Sequence, residues 1–286
     1  MGIQACGHPQ LFVANAQRRL VVDTVRWSID IRDIDAPVLH EEGADLLCET
    51  ASIGKIFLLV EVARRILNGD LDPTSPIDIP QDHLVEESGI LYRFVNQNIA
   101  VADAALLVGA FSDNLATNAL IHMCGLDTVR SVSRELGYKH TALLDFIRDE
   151  ERTPDLPWAS SAGTARELSH VMEQLHHGTV VSPEVSAQVL SWLASDADTS
   201  MFADAFYLDP LAHIHEDGVL LRHKTGTTEV VRADVGIVTG PKATVSYAVL
   251  ANWKGMDDQR EPVMQRMRAL GAQVRAYVTG RSAHVG

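Results

Sequence analysis

From Thr24 to Arg32 apolar and polar side chains alternate: Val25, Trp27, Ile29 and Ile31 fall on one face, Arg26, Ser28, Asp30 and Arg32 on the other. A period of two predicts a half-buried strand in an antiparallel sheet with one covered face. Leu11 to Val22, just before it, reads as a short helix. The pattern then changes. Ile56 to Leu67 (IFLLVEVARRIL) is apolar on nearly every side and leads to Gly69, a C-terminal stop. A helix apolar all round is a buried central one. Val101 to Met123 predicts one or two further helices, and Thr164-Ala165-Arg166-Glu167 has the spacing of a capping box opening a helix through His177. Ser182 to Ser195 predicts another. Strands return at Leu220–His223, Asp234–Thr239 and Thr244–Trp253, rich in β-branched residues and parted by Gly or Pro turns, before a last amphipathic helix from Pro262 to Val278. Strands at both ends with helices between predict one sheet assembled from the two termini, with a helical domain inserted.

Composition narrows the function classes. The 286 residues suit one compact unit or two interleaved ones, at roughly 100–200 residues per domain. Lys+Arg 24 against Asp+Glu 38 leaves a formal charge of −14, which argues against nucleic acid and against an anionic membrane surface as partners. At 46% hydrophobic and 22% charged the chain is too apolar for disorder. Cys6, Cys48 and Cys124 are widely spaced with no C-x-x-C, so neither a disulfide framework nor a zinc knuckle is expected. No apolar run reaches the ~18–20 residues of a membrane span. Met1 to Gln17 lacks the basic start, apolar stretch and cleavage site of a signal peptide, so the sequence as written reads as cytoplasmic. A secreted chain trimmed of its leader would read the same way. Nothing in the sequence sets an oligomeric state.

Three short motifs carry candidate chemistry. In Ser52-Ile53-Gly54-Lys55, at the start of the buried helix, nearly one turn separates two side chains that can meet. A serine hydroxyl needs a base to become a nucleophile, and a lysine serves once desolvation or neighbouring cations lower its pKa. Alone, S-x-x-K recurs by chance, and a helix cap with a snorkelling lysine is the simpler account. Ser112-Asp113-Asn114 suits a helix–helix turn; its functional reading has Ser112 relaying a proton to a leaving group and Asn114 binding a substrate amide. Lys224-Thr225-Gly226 is either an edge strand protected by lysine or a strand whose glycine lets a ligand approach closely. The order S-x-x-K, S-D-N, K-T-G, at spacings of about 60 and about 110 residues, is the combination found in class A β-lactamases and penicillin-binding proteins.

The sequence therefore resembles the class A β-lactamase and penicillin-binding serine hydrolase family, across residues 11 to 280. Asn98 to Asn118 resembles the helix pair around the S-D-N turn, Leu84-Val85-Glu86-Glu87-Ser88 the edge of the active-site mouth, and Lys224 to Val238 the catalytic strand and its neighbour. The resemblance implies a three-layer α/β/α sandwich, its antiparallel sheet built from both termini (1–45 and 200–286), plus an all-helical domain (46–199), with the active site in the cleft between. It implies that Ser52 attacks a carbonyl with Lys55 as base. The backbone N–H groups of Ser52 and Thr227 would form the oxyanion hole. Ser112 and Lys224 would pass the proton to the leaving nitrogen, while Thr225, Thr227 and Arg232 would hold a substrate carboxylate and Gly226 would line the substrate site beside them. Lys55, Lys224 and Arg232 would then stand out as a small cationic pocket. The expected partner is a small-molecule amide, lactam or ester, with no cofactor and no metal.

Some positions depart from the family pattern. The glutamate that activates the deacylating water is expected three residues after an Asp such as Asp145, where this chain has Arg148; Glu150 and Glu151 are the nearby substitutes. Glu87 stands in place of an aromatic gate, which disfavours anionic, aromatic-bearing β-lactams. Cys48 and Cys124 do not occupy the family's disulfide positions. The expected activity is a β-lactamase-like serine hydrolase; the alternatives are an esterase or amidase of a biosynthetic pathway, or a penicillin-binding module that traps the acyl group. His213-Ile214-His215-Glu216-Asp217-Gly218 nearly matches a metallo-hydrolase string, but Gly218 replaces the closing His and only His223 and His284 follow. His176-His177 suits a helix C-terminus and needs no function.

Overall fold

A computed structural model describes residues 25–149, 152–209, 218–254 and 258–280. The alternating segment forms β1 (Val25–Asp33) and turns back as β2 (Val38–Glu42). Two short strands, β3 (Cys48–Glu49) and β4 (Ala142–Leu143), flank β5 (Ser161–Gly163) in a small antiparallel sheet. Late in the chain come β6 (Leu220–Thr227), β7 (Val231–Thr239) and β8 (Thr244–Trp253). The main sheet has the order β2-β1-β8-β7-β6, antiparallel at every pairing, so a strand from near the start lies beside the last strand.

Between these strands lie α1 (Lys55–Asn68), α2 (Val101–Phe111), α3 (Asn114–Cys124), α4 (Leu126–Glu135), α5 (Ala165–His176) and α6 (Pro183–Leu193); α7 (Arg260–Thr279) closes the described chain. The core is two clusters on opposite sides of the main sheet. One joins α1 to α6 with Val231, Ala233 and Val235; the other joins α7 and Phe202 with Ile29, Tyr247 and Val249. This is the sandwich with an inserted helical part expected from the sequence. The expected helix at Leu11–Val22 lies outside the described residues.

α1 is the central helix its composition predicts, with Ile56 through Ala63 all buried. Even Glu61 is buried, its two oxygens taken by Arg64 and Arg65. Gly69, at φ +79°, closes the helix in the left-handed region. Thr164 caps α5 by accepting the Glu167 N–H at 3.3 Å, but the reciprocal half of the capping box is not made. The Glu167 carboxylate instead accepts the N–H groups of Lys139 and His140.

One expectation fails. β1 is covered on both faces, and its polar residues Ser28 and Asp30 are fully buried. Helix α5 lies over that face: the Ala165 N–H donates to Ser28 Oγ at 3.1 Å, and Ser169 Oγ donates to Asp30. Arg32 Nε, 2.5 Å from Asp30, supplies the countercharge. The middle of this face, Ser28 and Asp30, is therefore an internal polar layer bonded to α5 through Ser28 Oγ and one oxygen of Asp30.

Candidate active site

The chain enters the site along β3. Thr50 N–H donates to Ser161 O at 3.2 Å, the Thr50 and Ser161 hydroxyls sit 2.7 Å apart, and Ser161 Oγ donates to Ala51 O. These bonds hold Ala51 at φ +49° at the start of a single 3-10 turn (Ala51–Gly54) that runs into α1. Gly54 is required there, because a Cβ would lie 2.4 Å from the Ser161 Cβ. Ser52 thus sits just ahead of the amino end of a buried helix, whose dipole favours negative charge.

Lys55, the first residue of α1, is fully buried. Its three protons go to Ser112 O (2.5 Å), Ser112 Oγ (3.1 Å) and Asn114 Oδ1 (2.7 Å). Two motifs some sixty positions apart are joined at one nitrogen. Burial pushes the Lys55 ammonium well below the ordinary lysine value, and the charge of Lys224 pushes the same way, against the carboxylates of Asp113 and Asp196.

The S-D-N turn links α2 to α3. Ser112 ends α2 at φ +53°, and Asp113 caps α3 by accepting the Ala116 N–H at 2.9 Å. The other oxygen of Asp113 accepts Ile90 N–H (2.7 Å) and Leu91 N–H (2.8 Å), tying the mouth segment to the turn. Asn114 completes the link: its N–H donates to Ser88 O at 3.1 Å and its Nδ2 donates to Glu87 O. Ala51, Ser88 and Ser112 are three of the five described non-glycine residues with positive φ, and all three border one cleft. Backbone strain concentrated in this way is a mark of functional sites.

On the opposite wall, Lys224 is also fully buried. It donates to Thr225 O at 3.0 Å and lies 3.8 Å from Asp196 Oδ2, the same oxygen that accepts the Thr225 N–H at 3.0 Å. Gly226 passes against the turn that carries Ser52, where an added Cβ would lie 2.4 Å from Thr50 O and 3.2 Å from Ser52 N. Gly226→Ala is therefore expected to push β6 off the turn, costing about 1–3 kcal/mol of stability and slowing acylation at Ser52 more than tenfold. Thermal melting and intact-mass acylation rates check this; a variant that melts and reacts like the parent would show that the close approach is dispensable.

The cleft measures about 930 Å³. Ser52, Ser112, Asn114, Thr225 and Thr227 lie on its wall together with Glu49, Glu87, Asp149, Asp196, Asp198 and Glu229; the basic wall residues are Arg148 and Arg152. Both guanidiniums pair with Asp145, at 3.0 and 2.9 Å. Burial alone would raise the Asp145 carboxyl, but the two arginines outweigh it and hold it below the ordinary aspartate value.

These elements carry the S-x-x-K, S-D-N and K-T-G groups onto one cleft, and a model of the Beta-lactamase enzyme family matches residues 18–278. The chain belongs to this family. Among curated relatives it is 26% identical over 132 residues to the beta-lactamases CARB-4 and CARB-3 of Pseudomonas aeruginosa; each match takes in 46% of this chain and 46% of the relative. The chain thus spans about half the length of the curated relatives it matches. Among solved structures, a beta-lactamase from Sphaerobacter thermophilus superimposes with a TM-score of 0.77 at 22% identity, covering 89% of this chain and 92% of that one. The protein PBP-A gives 0.76 at 19% identity, covering 92% of each chain. A variant of PBP-A held as an acyl-enzyme complex with penicillin G gives 0.73 at 21%, covering 90% and 91%. At these identities the likeness speaks for the fold.

Within this beta-lactamase-family fold, several sequence expectations need correction. Arg232 is not on the cleft wall: its Nη1 donates to Thr228 O (2.6 Å) and Val231 O (2.7 Å), and its guanidinium lies 5.8 Å over the Trp253 ring. The hairpin carbonyls thus hold the Nη1 end of the guanidinium. Nor do the described residues make the wall a cationic pocket, since Lys55 and Lys224 are buried behind it and, among the described residues, carboxylates outnumber its guanidiniums six to two. Asn114, expected to bind a substrate amide, lies on the cleft wall and also bonds to Lys55 and Glu87 within the protein. Arg148 stands on the wall where the family pattern calls for a glutamate, while Glu150, Glu151 and the His213–Asp217 string lie outside the described residues.

Other residues of the site escaped the sequence reading. Asp196 anchors the K-T-G strand, and Asn118 pins the loop near Arg148 by accepting Ile147 N–H and donating to Ile147 O, both at 2.9 Å. Asn118 lay within the segment that resembled the family's helix pair, its role unread; Asp196 lies in a loop stretch with no period to single it out.

Proposed function

We propose that this chain is a serine acyl-transfer hydrolase that forms an acyl-enzyme at Ser52 from a β-lactam or a related cyclic amide. The observation that carries the reading is the Lys55 amine, buried and bonded to Ser112 and Asn114 three residues from a serine on the cleft wall. In this reading Ser52 Oγ attacks the carbonyl carbon as its proton moves to Lys55. The backbone N–H groups of Ser52 and Thr227 face the developing oxyanion. As the C–N bond breaks, the amide nitrogen takes a proton by way of Ser112, with Lys224 supplying positive potential behind it. Water then hydrolyses the Ser52 ester.

Two observations favour related readings. Arg148 in place of a carboxylate favours a penicillin-binding module that acylates and releases slowly; a PBP-A variant of the same fold is seen as an acyl-enzyme complex with penicillin G. The acidic wall favours an esterase or amidase whose substrate is neutral or carries a cation. Incubation with a penicillin or a chromogenic cephalosporin, following product release and intact mass together, separates them. Turnover or an adduct that vanishes in Ser52→Ala supports acyl transfer; a persistent adduct without turnover supports the trap. Neither adduct nor turnover would remove β-lactams as the substrate class.

A further inference from the structure

Hydrolysis of an ester on Ser52 needs a group that takes a proton from the attacking water. Arg148 is a cation paired to Asp145 and does not serve. Lys55 is assigned the Ser52 proton of the acylation step and is held by Ser112 and Asn114, so a separate group on the wall is sought for the water. Of the six acids on the wall, Glu87 and Glu229 are exposed to solvent and three others are committed elsewhere. Asp196 accepts the Thr225 N–H, Asp149 accepts the Glu86 N–H, and Asp198 accepts both the N–H and the hydroxyl of Ser200.

Glu49 is different. It precedes Ser52 by three residues and borders the same cleft. Its strand neighbours Cys48 and Thr50 are each 1% exposed, so strand alternation turns Glu49 the opposite way, towards the cleft. Its backbone is clasped from β8: Glu49 N–H donates to Asn252 Oδ1 at 2.8 Å, and Asn252 Nδ2 donates to Glu49 O at 2.9 Å. The carboxylate therefore rides on a rigid platform rather than on a loop. Among the described residues no cation comes within ion-pair distance of it. Burial raises its carboxyl above the ordinary glutamate value, and the more distant charge of Arg152 only partly offsets this. A carboxylate raised in this way is a stronger proton acceptor than an ordinary glutamate.

We propose that Glu49 is the general base of deacylation, in place of an acid from the loop after Asp145. The inference rests on the acyl-transfer reading of the same cleft. The water oxygen bonds to the ester carbonyl carbon while its proton passes to the Glu49 carboxylate. The tetrahedral intermediate then expels Ser52 Oγ, which recovers that proton from Glu49, leaving a free acid product and both residues restored.

The test is Glu49→Gln on the full chain, with a chromogenic cephalosporin as probe. Acylation, read by intact mass, is expected to stay within about threefold of the parent, while deacylation falls about 10²–10⁴-fold and a stoichiometric adduct accumulates. The parent's deacylation rate is expected to fall as pH drops through an inflection above the ordinary glutamate value, and Glu49→Gln to lose that inflection. Unchanged deacylation in Glu49→Gln, or a loss confined to Glu150→Gln or Glu151→Gln, would overturn the assignment. A parent that acylates but never turns over would overturn it while leaving acyl transfer intact. A parent that neither acylates nor turns over would overturn both. Should Glu49→Gln fail to fold, Glu49→Asp keeps the charge one methylene further back; it must slow deacylation with acylation preserved, and parental deacylation there again removes the role.

Discussion

Replacing Lys55 by methionine is expected to slow acylation of Ser52 about 10²–10⁴-fold, the range for loss of a positioned general base. Methionine matches the stem in length and volume, and the amine it removes is costly to bury, so the fold should survive the change. What disappears is the one nitrogen joining the nucleophile turn to Ser112 and Asn114. The pH dependence carries the sharper signature. Burial and Lys224 lower the Lys55 pKa, so the neutral amine, the form able to accept the Ser52 proton, is populated well below the pH at which an ordinary lysine deprotonates. Acylation by the parent should therefore rise with pH and level off above that lowered pKa, while the methionine variant stays flat through the same range. Intact-mass kinetics at a series of pH values measure both. Acylation within about threefold of the parent, or an unaltered pH profile, would remove Lys55 from the base role.

The second large effect is structural and centres on Asp113. Its fully buried carboxylate accepts the N–H groups of Ile90, Leu91 and Ala116, at 2.7, 2.8 and 2.9 Å. Asp113→Ala strips a helix cap from α3 and leaves buried donors without partners, a loss on the order of 3–5 kcal/mol. The melting temperature should fall by roughly 10 °C. Because Ser112 and Asn114 flank it, acylation should fall as well. Asp113→Asn keeps an oxygen for the cap and should recover a substantial part of the stability. Circular-dichroism melts of both variants decide the matter; an alanine variant melting within about 2 °C of the parent would show that the mouth segment and the turn are not coupled through this carboxylate.

Much of this architecture was legible in the chain. The all-apolar run of α1, the S-x-x-K at its start and the strands near both ends are local patterns, set by helical and strand periods and by caps. The helices at Ala165 and Pro183 begin where Thr164 and Ser182 signalled. The short strands β3, β4 and β5 were not legible, since two or three residues carry no period, and α4 passed unnoticed among its polar residues. The polar face of β1 misled because alternation reports chemistry, not exposure: Ser28 and Asp30 are buried once α5 brings Ser169 and an N–H donor to them.

The site divides in the same way. Which residues to propose for the chemistry was legible in the sequence, because Ser52 and Lys55 lie nearly one helical turn apart and S-D-N is a turn in its own right. How they act was decided by tertiary structure. Burial of Lys55 and Lys224, with Asp113 and Asp196 close by, depends on packing elements that the chain separates widely, and a side chain's pKa follows its surroundings rather than its neighbours in sequence. The same holds for Arg232, whose Nη1 bonds the carbonyls of its own hairpin, and for Glu49, which borders the cleft and is clasped by Asn252 from 203 positions away. Spacing along the chain selects the reactive groups; three-dimensional packing sets their charge, their access and their partners.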